Sequence, residues 1–161
     1  MQKGFTIFFA MLVGGLSLTI GAAIYDLTVR ELDLSQTAIQ SQYAIYAADT
    51  GVECALFWDT KYEGGSAFAT SSASTPLSTV ECNGVSISSA PDASDASSAT
   101  TDFTLTVVAA PQTYCASVRV AKEVDAGGVV YTTVTSRGYN TLCPPEVPQI
   151  TRLERALQVS Y

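Results

Sequence analysis

A long apolar segment opens the chain, and a segment with helical spacing of apolar and polar positions follows it. Residues from Phe5 to Tyr25 include no charged side chain, and about 20 apolar residues are enough to span a bilayer as a helix. Further along, apolar residues recur in steps of three, four and seven, which places them on one helical face. These residues are Leu27, Leu34, Ala38, Ile45, Ala48, Val52 and Leu56.

No helix-stopping residue separates the two segments. Residues 26–57 contain no proline, and the first glycine after Gly21 is Gly51. One helix over both segments would be roughly 80 Å long at about 1.5 Å per residue. The pattern therefore predicts a stem helix with a membrane-spanning part, residues 5–25, and an amphipathic part, residues 26–58.

Short segments of alternating hydrophobicity after the helix predict a β-sheet. Thr79–Ser88 contains Asn83-Gly84, a dipeptide typical of a two-residue type I′ hairpin. Further strands are predicted from apolar alternation and from valine, threonine and tyrosine enrichment. They are residues 103–107, 116–121, 129–137 and 153–161.

Two stretches rich in small and polar residues predict loops. Residues 64–76 contain Gly64 and Gly65 and end at Pro76, and residues 86–102 are mostly Ser, Ala, Thr and Asp. An antiparallel sheet with one apolar face needs a cover, which the amphipathic part of the helix can supply. We therefore expect an α+β fold in which residues 59–161 form a head with a sheet of about four or five strands, packed on the C-terminal half of the stem helix.

The four cysteines all follow the apolar segment, so they would lie on the same side of a membrane. They are widely spaced and lack the close C-x-x-C pairs of zinc sites. In an oxidising compartment they predict two disulfides; the alternative is four buried free thiols. Of three connectivities we favour Cys54 with Cys82, which ties the helix end to the hairpin, and Cys115 with Cys143, which ties a central strand to the C-terminal loop.

Charge and composition argue against nucleic acid binding and catalysis. The net charge is −7, the eight basic residues are scattered along the chain without a basic run, and there is no histidine, so phosphate contacts and histidine-dependent nucleophilic sites are not expected. We predict no enzyme activity, no catalytic residue, no metal and no cofactor. Asp92 and Asp95 could bind calcium, but a polar loop is the favoured interpretation. Phe57, Trp58 and Tyr62 could form a ligand platform, although packing is the commoner role of aromatic residues at a helix end.

Three interpretations of the N-terminal segment compete. A cleaved signal peptide would use Gly21, Ala22 and Ala23 as its cleavage site, but the apolar run is longer than such signals have and Lys3 is the only basic residue before it. An ordinary membrane anchor would end its helix soon after the bilayer. A helix that continues as a packing surface is the third and favoured interpretation.

At this point the sequence resembles a known family. The opening MQKGFTIF resembles that of type IV prepilins, with a short leader, Gly4, and a phenylalanine that starts a long apolar helix. The segment from Tyr43 to Asp59 resembles the end of the stem helix of PilX-type minor pilins. The segments Thr135–Asn140 and Arg152–Tyr161 resemble the closing strands of the same group.

The resemblance implies a leader of residues 1–4, cleavage between Gly4 and Phe5 by a prepilin peptidase, and N-methylation of Phe5. One position departs from the family pattern. Most pilins carry a glutamate five residues into the mature chain, where Phe9 lies here. A carboxylate in a membrane is costly and is retained where it has a partner, so its absence removes one interaction that recruits a neighbouring subunit. Because tip-type minor pilins and pseudopilins often lack this glutamate, the resemblance favours a minor or tip subunit over the bulk subunit, with a divergent major pilin as the alternative.

The resemblance also implies partners and a location. They are other pilin subunits through the stem helix, the peptidase, an assembly platform, and the cytoplasmic membrane, with the head outside, before incorporation into an extracellular filament. Two alternatives stay open: a membrane-anchored extracellular binding module, and a pseudopilin of type II secretion. The Ser/Thr-rich loops are candidate O-glycan acceptors.

Overall fold

A long helix is the first element of the protein. A computed structural model describes residues 3–77, 80–109, 112–143 and 152–161. Helix α1 spans Lys3–Leu56, and a π-helical turn, Phe57–Lys61, continues it. The predicted helix is therefore confirmed. Its continuity is consistent with the absence of proline, which would kink or break a helix. Met1 and Gln2 of the predicted leader lie outside the described residues.

The chain divides into two units, each described here by itself. Unit 1 is Met1–Ile39, and its described part consists of helix α1 alone. Unit 2 is Gln40–Tyr161 and contains the last part of α1 together with all the described strands. From here on, the head is unit 2, which adds the last part of α1 to the predicted head of residues 59–161. The stem is the part of α1 before Gln40.

Two antiparallel sheets form the β-structure of the head. Strands β1 and β2 pair as a hairpin, and the other five form one sheet in the order β3-β4-β5-β6-β7. The predicted α+β class and strand number are confirmed. The strands are β1 Val80–Cys82, β2 Val85–Ile87, β3 Ala93–Ser94, β4 Ser98–Ala109, β5 Gln112–Val124, β6 Val130–Tyr139 and β7 Glu154–Ser160.

The β1–β2 hairpin turns at the predicted dipeptide. Cys82 pairs with Val85, so Asn83 and Gly84 are the two loop residues. Their φ angles are 51° and 74°, in the left-handed region that a type I′ turn requires at both positions. Thr79, the predicted start of this hairpin, lies outside the described residues.

The prediction that residues 86–102 form a loop is wrong over much of that range. Ala93–Ser94 is strand β3, and Ser98–Asp102 is the first part of β4, where Ser98 pairs with Glu123. Ser, Ala and Thr carry little hydrophobic signal. Pairing with the long strand β5 nevertheless provides hydrogen-bond partners for the backbone of residues 98–102. The local sequence pattern does not indicate this pairing, because β5 is distant in sequence.

The head core lies between one face of the five-stranded sheet and the helix residues that pack on it. Side chains from the sheet that are fully buried include Leu105, Val118, Val120 and Val134. The helix contributes small residues at i, i+3, i+4, i+7, i+8 and i+11. They are Ala44, Ala47, Ala48, Gly51, Val52 and Ala55.

This buried face confirms part of the predicted apolar stripe, since Ala48 and Val52 are buried, and corrects the rest. Leu27 and Leu34 are exposed, and Ile45 remains 42% exposed. The sheet is covered by alanine and glycine because the helix lies very close to it. A Cβ atom at Gly51 would collide with the side chains of Ser136 and Val118, so larger residues have no room on this face.

Candidate functional site

The stem is an exposed helix whose first part, residues 5–25, carries no charged residue. Every residue from Phe5 to Ile39 is exposed, including large side chains such as Phe5 at 74% and Met11 at 73%. An apolar surface of this extent is unfavourable in water and marks contact with lipid or protein. Among the described residues, one helix, Phe5–Lys61, is long and apolar enough to cross a membrane. A signal sequence has the same features, so the stem is a candidate anchor or signal.

Four hydroxyl groups of the stem, those of Ser17, Thr19, Thr28 and Thr37, donate to carbonyl oxygens of the preceding helical turn. Ser17 Oγ donates to the carbonyl oxygen of Val13 at 2.9 Å, and Thr28 Oγ1 donates to that of Ile24 at 2.9 Å. A polar group without a partner in an apolar medium costs several kcal/mol, about 2–7. Back-bonding to the preceding turn removes this cost, so these hydroxyls are compatible with an apolar environment.

Gly4, Phe5 and Phe9 all lie within helix α1. The Phe9 side chain is 58% exposed. The structure contains nothing that tests cleavage after Gly4 or methylation of Phe5, and both stay predictions.

Two disulfides join distant parts of the head. Cys54 near the end of α1 bonds to Cys82 of β1, with Cα atoms 5.9 Å apart, and Cys115 of β5 bonds to Cys143, with Cα atoms 5.4 Å apart. These are the pairs that the sequence favoured. Each closes a loop with a sequence separation of 28 and limits the conformational freedom of the unfolded head.

A buried charge cluster links the end of the helix to the sheet. The Lys122 ammonium forms an ion pair with Asp59 Oδ1, and both side chains are only 4% exposed. Lys122 also donates to Ser66 Oγ at 2.7 Å, and Tyr161 Oη donates to Asp59 Oδ2 at 2.7 Å. Sequence reasoning missed this cluster, because Lys122 occupies an inward position of β5 and nothing in the spacing indicates a partner 63 positions earlier.

The buried charge cluster also raises the pKa of Tyr161. Partial burial disfavours the charged phenolate and raises the pKa of Tyr161 well above its ordinary value of 10.0, and the hydrogen bond to the Asp59 carboxylate raises it further. The Tyr161 backbone pairs with Thr132 in both directions, at 2.8 and 3.0 Å. The buried charge cluster therefore links the end of the helix, the central strand β5 and the C-terminal residue Tyr161.

The outer face of the sheet, which points away from the helix, is polar. Asp102 accepts two hydrogen bonds from Arg119, from Nε and Nη2, both at 2.7 Å, and these raise the pKa of Arg119 further. Arg137 forms an ion pair with Glu154 at 3.1 Å. A depression of about 380 Å³ lies between the arginines. Sequence reasoning assigned no role to these residues.

The calcium interpretation finds no support at Asp92 and Asp95. Asp92 Oδ2 accepts the amide of Asp102 at 2.6 Å. Asp95 Oδ1 accepts the amides of Ser97 and Ser98 at 2.8 and 2.7 Å, and these bonds lower its pKa. The Asp95 carboxylate caps a local turn and the Asp92 carboxylate binds the backbone of β4. The residues described here contain no group of three or more metal-ligating side chains.

The aromatic residues at the helix end pack on one another. The Trp58 ring lies 5.5 Å from Phe57 and 4.8 Å from Tyr62 between ring centroids. Trp58 Nε1 donates to the Glu81 carbonyl oxygen at 2.9 Å, and the ring packs against the core. This arrangement supports the packing role for Trp58.

Comparisons of the chain with family models, with curated proteins and with solved structures find no match.

Proposed function

We propose that this chain is a minor or tip subunit of a type IV pilus-like filament. The observation that carries the proposal is the division of helix α1. Its residues from Phe5 to Ile39 are all exposed, and those from Phe5 to Tyr25 carry no charge, whereas from Gln40 onward the helix belongs to the head. Such a helix needs one apolar environment before assembly, the membrane, and another in the filament, the stems of other subunits.

Transfer between these environments is close to neutral in hydrophobic free energy. Lipid tails and packed helices both remove apolar surface from water, so helix packing has to provide the preference for the filament. Glycines at positions 14, 15 and 21 permit close helix approach, and no group lies within 4 Å of the position that a Cβ would take at any of them. An ATP-driven assembly platform would supply the work of extraction.

The head is suited to exposure outside the cell. Two disulfides and a buried ion pair hold its elements together, and disulfides persist in oxidising compartments. The stem carries Phe9 instead of a carboxylate. A subunit without this charge lacks one electrostatic interaction with a neighbouring N-terminal amine, which supports a minor or tip position.

Processing at Gly4 provides the test of this function. We expect Gly4→Val to block leader removal in a cell that carries a prepilin peptidase, because the peptidase site would have to admit a branched side chain next to the cleaved bond. Gly14→Val introduces the same side chain away from that bond, so it controls for general effects on the stem. The intact mass of the membrane-extracted protein distinguishes precursor from mature chain. Removal of residues 1–4 from the Gly4 variant, or retention of them in the unmodified chain, would contradict the proposal.

A further inference from the structure

The outer face of the sheet concentrates arginine on an acidic protein. Arg119 of β5 and Arg137 of β6 are 63% and 57% exposed at their side chains, although the net charge of the chain is −7. A third arginine, Arg152, lies with its Cζ atom 3.7 Å from the ring centroid of Tyr139. This face therefore presents cationic groups to a ligand, although the chain as a whole is acidic.

Strand register brings the two exposed arginines around a pair of hydroxyl groups. Ser117 is opposite Arg137, and Arg119 is opposite Thr135, in the pairing of β5 with β6. The four residues form a two-by-two block of cross-strand neighbours. With Asp102 they line the depression of about 380 Å³, which lies at the lower end of the roughly 300–1,000 Å³ of small-molecule sites.

The two carboxylates of this face hold the guanidinium groups and leave donors to spare. Asp102 engages Nε and Nη2 of Arg119, and Glu154 engages Nη1 of Arg137. A guanidinium has five N–H donors in a rigid fork, so each bridge uses only part of the set. The remaining donors suit an additional carboxylate, because a guanidinium binds carboxylates with two parallel hydrogen bonds.

We propose that this depression, the arginine cleft, binds a carboxylated sugar. Arginine donors would recognise the sugar carboxylate. The Ser117 and Thr135 hydroxyls would donate to and accept from ring hydroxyls, and the Asp102 carboxylate would accept from them. A peptide fits less well, because β5 is paired on both sides here and offers no free backbone edge for strand addition. The proposal does not depend on filament assembly.

The test compares two ligands that differ at the carboxyl group, which is charged in one and esterified in the other. A trimer of galacturonic acid and its methyl ester would be titrated into the isotope-labelled full chain in detergent micelles, with backbone amide shifts as the readout. We expect saturable shifts centred on Ser117, Arg119, Thr135 and Arg137 with the acid, at about millimolar affinity, and none with the ester. Added salt should weaken the binding.

Variants link the binding to the cleft. Arg137→Gln keeps a polar side chain at an exposed position and should weaken binding about 10-fold or more, in line with the 1.5–3 kcal/mol of a hydrogen bond to a charged group. Arg155→Gln is the control, because the Arg155 Nε donates to Ser41 of the helix and so lies on the opposite side of the sheet. An unchanged amide spectrum elsewhere shows that each variant is folded.

Three outcomes would overturn the proposal. They are the absence of saturable shifts up to about 20 mM acid, where a millimolar site would be largely occupied, equal binding of acid and ester, and equal affinity of the Arg137 variant. Sodium acetate at the same carboxylate concentration provides a further check. Equal shifts with acetate would reduce the cleft to a simple anion site and remove the sugar from the proposal. None of these results bears on leader cleavage or filament assembly, so the two proposals fail separately.

Discussion

Gly138 of strand β6 lies directly against Ala44 of helix α1. A Cβ atom at position 138 would overlap the carbonyl oxygen of Ala44 and would lie 3.0 Å from the Cβ of Ala48. The helix and the sheet therefore meet backbone to backbone at this point. A larger residue at position 138 would have to push the two layers apart.

This contact predicts that Gly138→Ala destabilises the head. An added methyl group with no space costs typically about 1–3 kcal/mol, and more where the obstacle is backbone. Chemical denaturation of the full chain in detergent, followed by the fluorescence of Trp58, the single tryptophan, would measure the loss. Gly14→Ala is the control, since nothing lies within 4 Å of its added Cβ. Equal denaturation midpoints for the Gly138 variant and the unmodified chain would refute the close contact.

The buried ion pair predicts strong coupling between Lys122 and Asp59. Lys122→Met leaves the Asp59 carboxylate buried without its cation, and a single substitution of this kind costs about 3–5 kcal/mol. The double variant Lys122→Met with Asp59→Leu removes both charges and should lose less than the two single variants together. A double-mutant cycle by denaturation measures the coupling energy. Additive losses would show that the two side chains do not interact.

Tyr161 predicts a specific loss of stability at alkaline pH. Its folded pKa is raised above the ordinary value of 10.0, so the neutral phenol contributes stability that is fully present below about pH 10. The contribution is lost as the pH rises from that value through the folded pKa. Tyr161→Phe lacks the titrating group, so its stability should fall less between about pH 9 and 11 than that of the unmodified chain. Parallel curves for both proteins would contradict the raised pKa of Tyr161.

The two disulfides predict similar contributions to stability. Both have a sequence separation of 28, and the chain-entropy relation gives about 3–4 kcal/mol for a loop of that length. Cys54→Ser with Cys82→Ser, and separately Cys115→Ser with Cys143→Ser, should lower the free energy of unfolding by comparable amounts. Each pair of substitutions serves as the control for the other. A negligible loss for one pair would show that its loop is already ordered in the unfolded chain.

Local signals in the sequence predicted the helix and the hairpin correctly. A helix without proline over residues 26–57 needs only local hydrogen bonds, and Asn83-Gly84 defines its turn by backbone geometry alone. The strand from Ser98 to Asp102 escaped prediction because its structure depends on pairing with distant residues of β5. Composition reports such pairing poorly, since polar and small residues occur in loops as well.

The same limit applies to the packing face and to the charged sites. Ala44 and Ala47 are weakly apolar, so hydrophobic periodicity favoured the larger Ile45, although close approach to the sheet selects small residues. The partners in the Lys122–Asp59 pair are brought together by the fold alone. Both cysteine pairs followed from the expected neighbourhood of helix end and hairpin, and of central strand and C-terminal loop.

The proposed function requires that the apolar part of helix α1, which begins at Phe5, leaves the membrane and enters the core of a filament. N-terminal analysis by mass spectrometry of the protein in sheared surface filaments tests it most directly. The account predicts a chain that begins at Phe5 with a methylated amine. A soluble product that begins after Ala23, or a chain that retains Met1 and never enters filaments, would contradict it.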